Sequence, residues 1–148
     1  MTQLELWDDS DAQNSARKAD LKLFVNDDDD AIAEYRLARR IYAETLGKSL
    51  AAAEALAVMA RNTGRGIADI AEDENVFESL CPDSARHADL RVDSKSPQFQ
   101  MCLRAVRNMA GLPDKIFGAT RFHRDDIIPD WASGIGSVAE VDGLLFYN

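Results

Sequence analysis

The sequence predicts a mainly α, α+β fold, in which a helical domain is followed by a small C-terminal β-hairpin. Apolar residues recur at helical spacing between residues 30 and 62 and again between 97 and 110. Ser96-Pro97 places a capping serine before a proline at the first helical position. Asp142-Gly143 lies between two short apolar runs, the pattern of a tight hairpin turn. Helices therefore come first along the chain and a small β element comes last.

The first helix is predicted over Asp30–Leu46. The acidic run Asp27–Asp30 supplies an N-cap and suits the positive end of the helix dipole. Gly47 can take the left-handed conformation that ends such a helix. The apolar stripe of this helix consists of Ile32, Tyr35, Leu37, Ala38, Ile41 and Tyr42.

The second helix is predicted to begin after Ser49, a suitable N-cap, and to end at Asn62-Thr63-Gly64. Its apolar stripe consists of Leu50, Ala53, Leu56, Ala57 and Ala60. This alanine-rich surface allows close packing, so the first two helices are expected to form the core as a pair. A third helix is predicted over Gly66–Leu80. Residues 81–96 are polar and lack a clear period, and a loop of that length in a compact domain is often functional.

The last third of the chain changes character after the fourth helix, over 97–110. Residues 115–124 mix aromatic and β-branched side chains and predict an irregular segment with one short strand. Pro129-Asp130-Trp131 is expected to begin a turn or a short helical turn. The hairpin strands are predicted at Val138–Val141 and Leu144–Tyr147.

Length and charge limit the classes of function. A chain of 148 residues, 46% hydrophobic and 29% charged, predicts one globular domain. A net charge of -9 argues against nucleic acid as a partner, and no apolar run approaches the roughly 18 residues of a membrane-spanning helix. Residues 1–11 show neither a basic n-region nor an apolar h-region, so we expect synthesis in the cytoplasm without a signal peptide.

The sequence predicts an acidic, flexible N-terminal arm at residues 1–25 and a folded domain at residues 26–148, the part in which any catalytic residues are expected. The arm is polar apart from Leu4, Leu6 and Trp7, which are suited to docking on the domain or on another protein.

Cysteine and acidic residues give no sign of a metal centre. Cys81 and Cys102 form either two free buried thiols or one bridge across a long loop, and free thiols are favoured for a chain without an export signal. No Cys/His spacing fits zinc, and Asp27–Asp30 lacks the glycine and distal glutamate of an EF-hand loop. We therefore expect no metal and no cofactor.

Glu44 is the candidate catalytic residue. It lies in the last turn of the first helix, where backbone carbonyls concentrate negative potential. That position and partial burial would both raise its pKa, as a general acid near neutral pH requires. The alternative is a solvated glutamate at the end of an amphipathic helix, without a function of its own.

Five segments carry a resemblance to a known family. Residues 41–48 read Ile-Tyr-Ala-Glu-Thr-Leu-Gly-Lys, residues 102–106 Cys-Leu-Arg-Ala-Val and residues 118–123 Gly-Ala-Thr-Arg-Phe-His. Residues 129–132 read Pro-Asp-Trp-Ala and residues 143–147 Gly-Leu-Leu-Phe-Tyr. In this order they resemble the SleB-type cell wall hydrolases, a family named for spore-cortex-lytic enzymes. The similarity covers about residues 31–148.

The resemblance implies a lysozyme-like fold and cleavage of the peptidoglycan glycan strand between N-acetylmuramic acid and N-acetylglucosamine. The family's catalytic acid corresponds to Glu44. In a lytic transglycosylase this glutamate protonates the glycosidic oxygen and then, as a base, lets the muramic C6 hydroxyl close a 1,6-anhydro ring. A muramidase would hydrolyse the same bond. The transglycosylase route needs no second carboxylate, and no acid near the tail segment stands out as one.

The resemblance also implies substrate-binding roles for Thr120, Phe122, His123, Trp131 and Tyr147. Thr120 and His123 would donate hydrogen bonds to the N-acetyl group or to the muramic lactyl chain. The alternatives are a strand threonine and a structural imidazole. Trp131 is either a core residue or a sugar-stacking platform. Phe146 and Tyr147 alternate faces of a strand, so one of them is expected near the cleft.

Several positions differ from the family pattern. Arg121 replaces the first histidine of the tail segment, and Leu46 and Lys48 replace an arginine and a second glutamate. The family's Gln-Phe-Ser-Cys-Trp cleft segment is reduced to Phe77–Cys81, without the tryptophan. These differences favour the alternative of a non-catalytic structural or glycan-binding protein on the same scaffold, whereas Glu44 and Thr120 oppose it.

The absence of a recognisable export signal suggests a route to the cell wall. We hypothesise release by lysis, or carriage in a phage tail or gene-transfer particle. Residues 1–20 would then dock on virion or tail proteins.

Overall fold

The structure of the protein is a computed structural model that describes residues 29–148. Its α-helices are α1 (Asp29–Thr45), α2 (Leu50–Asn62), α3 (Ile67–Ala71) and α4 (Pro97–Arg107), and its strands are β1 (Arg121–Arg124), β2 (Ala139–Val141) and β3 (Leu144–Tyr147). The predicted mainly α, α+β class is confirmed. The N-terminal arm at residues 1–25, and with it the docking hypothesis, lies outside the described residues. Within the described part of the chain, no helix is long and apolar enough to cross a membrane.

Helix α1 ends where the sequence predicts, at a pair of left-handed residues. Leu46 and Gly47 have φ values of 57° and 63°. The amide of Leu46 donates to the carbonyl of Tyr42 at 2.6 Å, and the amide of Gly47 donates to Thr45 Oγ1 at 3.1 Å. A Cβ added at Gly47 would lie 2.5 Å from Cβ of Gln98. Glycine therefore lets the end of α1 approach the first turn of α4.

Helix α1 packs most extensively against α4 and α3, and less against α2. The prediction of a core formed by the first two helices as a pair is therefore corrected. Two buried arginines of α1 form hydrogen bonds with α3 and with the segment 81–96. Arg39 Nη1 donates to the carbonyls of Leu90 and Val92 at 3.2 and 2.7 Å, and Arg40 Nε donates to that of Ala71 at 2.8 Å. These charged donors form hydrogen bonds with carbonyl groups that burial would otherwise leave without a partner.

Helix α2 begins as predicted. Ser49 Oγ accepts a hydrogen bond from the Ala52 amide at 3.1 Å, which satisfies one of the free donors of the first turn. Leu50, which the sequence places in the core, is 48% exposed because the first turn lies at the surface. Eight of the thirteen residues of α2 are buried, and most of these are alanines that allow close packing.

The third helix is shorter than the predicted Gly66–Leu80. After α3, the Oδ1 atom of Asp73 accepts a hydrogen bond from the Asn75 amide at 2.9 Å. Such local bonding offers the backbone an alternative to helix and ends it. A separate 3₁₀ turn, Glu78–Leu80, follows.

The segment 81–96 contains a 3₁₀ turn, His87–Arg91, that the sequence did not predict. Its Leu90 is fully buried, which anchors the segment on the core. Both cysteines of the chain are free thiols, the favoured alternative. Cys102 is buried on α4 as expected, whereas Cys81 is partly exposed.

The sheet has the strand order β1-β3-β2, with antiparallel pairing throughout. The hairpin turn was predicted, and Asp142 and Gly143 adopt positive φ values of 45° and 89°. The pairing of β1 with β3 was not predicted. On β1, Phe122 packs against Phe77 and Phe146. Because side chains alternate along a strand, Arg124 lies on the same side as Phe122 and reaches α1.

Candidate active site

Glu44, in the last turn of α1, has its carboxyl group inside the protein. Its side chain is 1% exposed. The Oε1 atom accepts a hydrogen bond from Arg124 Nη1 at 2.6 Å, and Oε2 accepts one from the Ser79 amide at 2.9 Å. The carboxyl group is therefore held by one cation from β1 and one amide from the 3₁₀ turn Glu78–Leu80.

Opposing influences act on the pKa of Glu44. Burial raises it, because the charged form loses its hydration. The guanidinium of Arg124 and the Ser79 amide lower it, and the net result is a raised pKa. The raised pKa agrees with the sequence-based expectation. Burial is its largest cause in the structure, whereas the expectation was also based on the carbonyl groups at the helix end.

Arg124 joins three carboxylates from three segments. In addition to Glu44, it binds Glu78 Oε1 through Nη2 at 2.8 Å and Asp126 Oδ1 through Nε at 3.0 Å. Its side chain is 4% exposed. Burial alone would lower the pKa of Arg124, but its carboxylate partners outweigh that effect and raise it. The guanidinium therefore remains charged and fixes the strand to the helix.

The sequence did not point to Arg124 or Glu78 as site residues. Arg124 pairs with a residue 80 positions away, so no local pattern marks it. Glu78 lies inside the segment Phe77–Cys81, which the resemblance had already placed at the cleft. A search of that segment for carboxylates would have found it.

Within the part of the chain that the structure describes, Glu44 and Arg124 together line two cavities. The first, which we name the aromatic cavity, has a volume of about 540 Å³ and includes Glu78, Phe122 and Trp131 in its walls. The arrangement places a buried carboxyl group at the junction of two spaces.

The second cavity, named the acidic cavity, has a volume of about 500 Å³. Its walls include Asp125, Asp126 and Asp142, with Lys48 and Arg86 among the cationic members. The two cavities therefore differ in character: one offers apolar ring surfaces and the other offers mainly charged groups.

The imidazole of His123 is bonded on both sides by the protein. Nδ1 lies 2.7 Å from the carbonyl oxygen of Arg124, so Nδ1 carries the proton and donates. In the neutral ring Nε2 then accepts from the Tyr147 hydroxyl, 2.9 Å away. The two rings stack with centroids 5.4 Å apart, and the Trp131 ring meets both edge-on. These contacts favour a structural role for His123, the alternative that the sequence left open.

The candidate substrate-binding residues are only partly brought together. Phe122, His123 and Trp131 line the aromatic cavity with Glu44, whereas Thr120 and Tyr147 are not among its lining residues. The Thr120 amide instead donates to the Tyr147 carbonyl at 2.9 Å, which extends the pairing of β1 with β3. The guanidinium of Arg121 lies 4.5 Å from the centre of the Trp131 ring and covers part of that surface.

Fold and site together define a mainly α, α+β protein with a buried carboxyl–guanidinium pair between two cavities. Comparison of the chain with protein-family models, with curated proteins and with solved structures finds no match. The function is therefore inferred from the chemistry of these residues.

Proposed function

We propose that the protein is a peptidoglycan-cleaving glycosidase with a lysozyme-like helical domain. Its substrate would be the glycan strand, cut between N-acetylmuramic acid and N-acetylglucosamine. The observation that carries the proposal is Glu44, a buried carboxyl group with a raised pKa where two cavities meet. A proton donor in a glycosidase needs both a raised pKa and space for a sugar on each side of the bond.

The two cavities suit the two sides of a cleaved bond. Phe122 and Trp131 offer apolar surface in the aromatic cavity, and the apolar face of a sugar ring packs well on aromatic side chains. The acidic cavity offers carboxylates that accept hydrogen bonds from sugar hydroxyls. The scissile oxygen would then lie next to Glu44.

Proton transfer from Glu44 requires a change in its bond to Arg124. The 2.6 Å contact between Oε1 and Nη1 favours the charged carboxylate, and burial favours the neutral acid. When a sugar oxygen displaces Arg124 from Oε1, the balance moves toward the acid. Hydrogen bonds of a catalytic group are often rearranged in this way between the free enzyme and the substrate complex.

The second candidate function is a non-catalytic structural or glycan-binding protein on the same scaffold. A specific observation favours it: both oxygens of Glu44 are bonded by the protein, and its side chain is 1% exposed. Such a protein would bind insoluble peptidoglycan without cutting it.

The loss of turbidity of purified peptidoglycan separates the two functions. We expect wild type to clear the suspension and Glu44→Gln to lose about 10²- to 10⁴-fold in rate, the typical contribution of a general acid. The matched control is Glu34→Gln, which changes another glutamate of α1 whose ion pair with Arg107 spans 3.5 Å at the surface. This variant should retain full activity. Sedimentation with peptidoglycan but no clearing by wild type would support the binding protein instead.

A further inference from the structure

We propose that Glu78 is a second catalytic carboxylate, which activates the water that attacks the cleaved glycosidic bond. The protein would then hydrolyse the glycan strand and would not close an anhydro ring. This inference rests on the proposed function and makes it specific. It also replaces the sequence-based expectation of a route that needs no second carboxylate.

The first support is the position of Glu78 relative to Glu44. Arg124 binds Glu44 through Nη1 at 2.6 Å and Glu78 through Nη2 at 2.8 Å. Because both bonds share one planar guanidinium, the bonded carboxyl oxygens lie at most about 8 Å apart. Carboxyl pairs of glycosidases are separated by about 5–5.5 Å in retaining enzymes and by about 6.5–9.5 Å in inverting enzymes. Glu78 is therefore within reach of the bond that Glu44 would protonate.

The second support is the contrast between the two environments. Glu44 is 1% exposed, whereas the Glu78 side chain is 38% exposed and lines the aromatic cavity. Glu78 Oε1 also accepts a hydrogen bond from Ser84 Oγ at 2.6 Å. One dry carboxyl group and one solvated, hydrogen-bonded carboxylate in the same cavity match the division between an acid and its partner in glycosidases.

The third support is the comparison with Asp126, the remaining partner of Arg124. Its carboxylate binds Nε at 3.0 Å, and its side chain is 48% exposed. Asp126 lines the acidic cavity but not the aromatic cavity, whereas Glu78 lines the aromatic cavity. Both carboxylates bind the guanidinium, but of the two only Glu78 lines the aromatic cavity, where Trp131 offers a stacking surface.

The reaction balances with these two groups and one water molecule. Glu78 takes a proton from water as the water oxygen bonds to C1 of the muramic residue. The bond from C1 to the glycosidic oxygen breaks, and that oxygen takes the proton of Glu44. Glu44 ends as the carboxylate and Glu78 as the acid, and exchange of one proton with solvent restores both.

The experiment cleaves purified peptidoglycan in water enriched in oxygen-18 and identifies the products by mass spectrometry. We expect free reducing-end muramic residues that each carry one labelled oxygen. Glu78→Gln should lose about 10²-fold or more in rate. Asp126→Asn removes another carboxylate partner of Arg124 and should lose clearly less. Glu34→Gln, the matched control at a surface ion pair outside both cavities, should keep the full rate. Azide should restore turnover of Glu78→Ala and yield a glycosyl azide, since azide attacks C1 without needing a base.

The outcomes separate this inference from the proposed function. Anhydro-muramic products from wild type, with Glu44→Gln inactive, would overturn the role of Glu78 and leave the glycosidase in place. Equal losses in Glu78→Gln and Asp126→Asn, without azide rescue, would reduce Glu78 to a positioning residue for Arg124. No cleavage by wild type would overturn both proposals. The product analysis uses wild type, so it decides the question even if a Glu78 variant does not fold.

Discussion

The replacement of Arg124 by methionine tests the electrostatic account of the site directly. Arg124 is the cation on the buried carboxyl group of Glu44, with a contact of 2.6 Å between side chains that are 4% and 1% exposed. Removing one partner of such a pair costs about 3–5 kcal/mol, because the remaining charge is left buried and unpaired. Methionine fills much of the same volume, so packing contributes less to the loss. For a domain of this size, we expect the Tm to fall by roughly 10 °C.

The loss of stability should depend on pH, because protonated Glu44 needs no cation. The folded pKa of Glu44 lies above its ordinary value of 4.5, since burial disfavours the charged form. The folded protein therefore binds this proton more tightly than the unfolded chain does. Stability from this group is complete below about pH 4.5 and is lost as pH rises through the folded pKa. Without Arg124 the folded pKa rises further, so the Arg124→Met variant should be much closer to wild type at pH 5 than at pH 8.

Urea unfolding at several pH values measures this effect. The set consists of wild type, Arg124→Met, Glu44→Gln and the double variant, with Arg104→Met as a control at an exposed arginine of α4. We expect the double variant to be more stable than the sum of the single losses predicts, since the neutral amide that replaces the Glu44 carboxylate needs no cation. A loss that is equal at pH 5 and pH 8, with single effects that add within about 0.5 kcal/mol, would refute the reasoning.

Three further predictions concern the elements around the site. Gly47→Ala should lose at least about 1 kcal/mol from its left-handed backbone alone, and more because the new Cβ would meet Gln98 at 2.5 Å; an unchanged Tm would contradict this. Ser49→Ala removes the N-cap of α2 and should lower the free energy of unfolding, measured in urea, by about 1 kcal/mol. A loss below a few tenths of a kcal/mol would show that the cap contributes little. A thiol reagent at neutral pH should label Cys81 in the folded protein and spare Cys102, whose pKa burial raises to about 11. Equal rates at the two thiols would contradict the buried position.

The parts of the fold that the sequence predicted are those with a local cause. Ser96 caps α4 through its own hydroxyl, three residues from the amide whose hydrogen bond it accepts. Asp142-Gly143 bends the hairpin because these two residues accept positive φ values. Gly47 stops α1 for the same reason. The third helix was predicted too long because the side chain of Asp73 competes with the helix for backbone donors.

The parts of the site that the sequence missed depend on pairing between distant segments. The sequence singled out Glu44 because its place near the end of a helix follows from nearby residues. Its burial, in contrast, depends on β1 and on the 3₁₀ turn Glu78–Leu80. Arg124 becomes a partner of Glu44 only when β1 pairs with β3, and nothing near residue 124 encodes that pairing. The resemblance implies that His123 is a substrate ligand, but its bonds to Tyr147 and to a backbone carbonyl depend on the same strand pairing.

The middle position of β3 in the sheet has a consequence for biosynthesis. Among residues 29–148, β1 and β2 do not pair with each other, and each pairs only with Leu144–Tyr147. The helices can collapse while the chain is still emerging from the ribosome, but the strand that carries Arg124 has no partner until β3 has been made. In a nascent chain, Glu44 at the end of α1 would thus still lack its bond to Arg124. A chain released from the ribosome before β3 has been made should be helical by circular dichroism and yet lack the bond between Glu44 and Arg124.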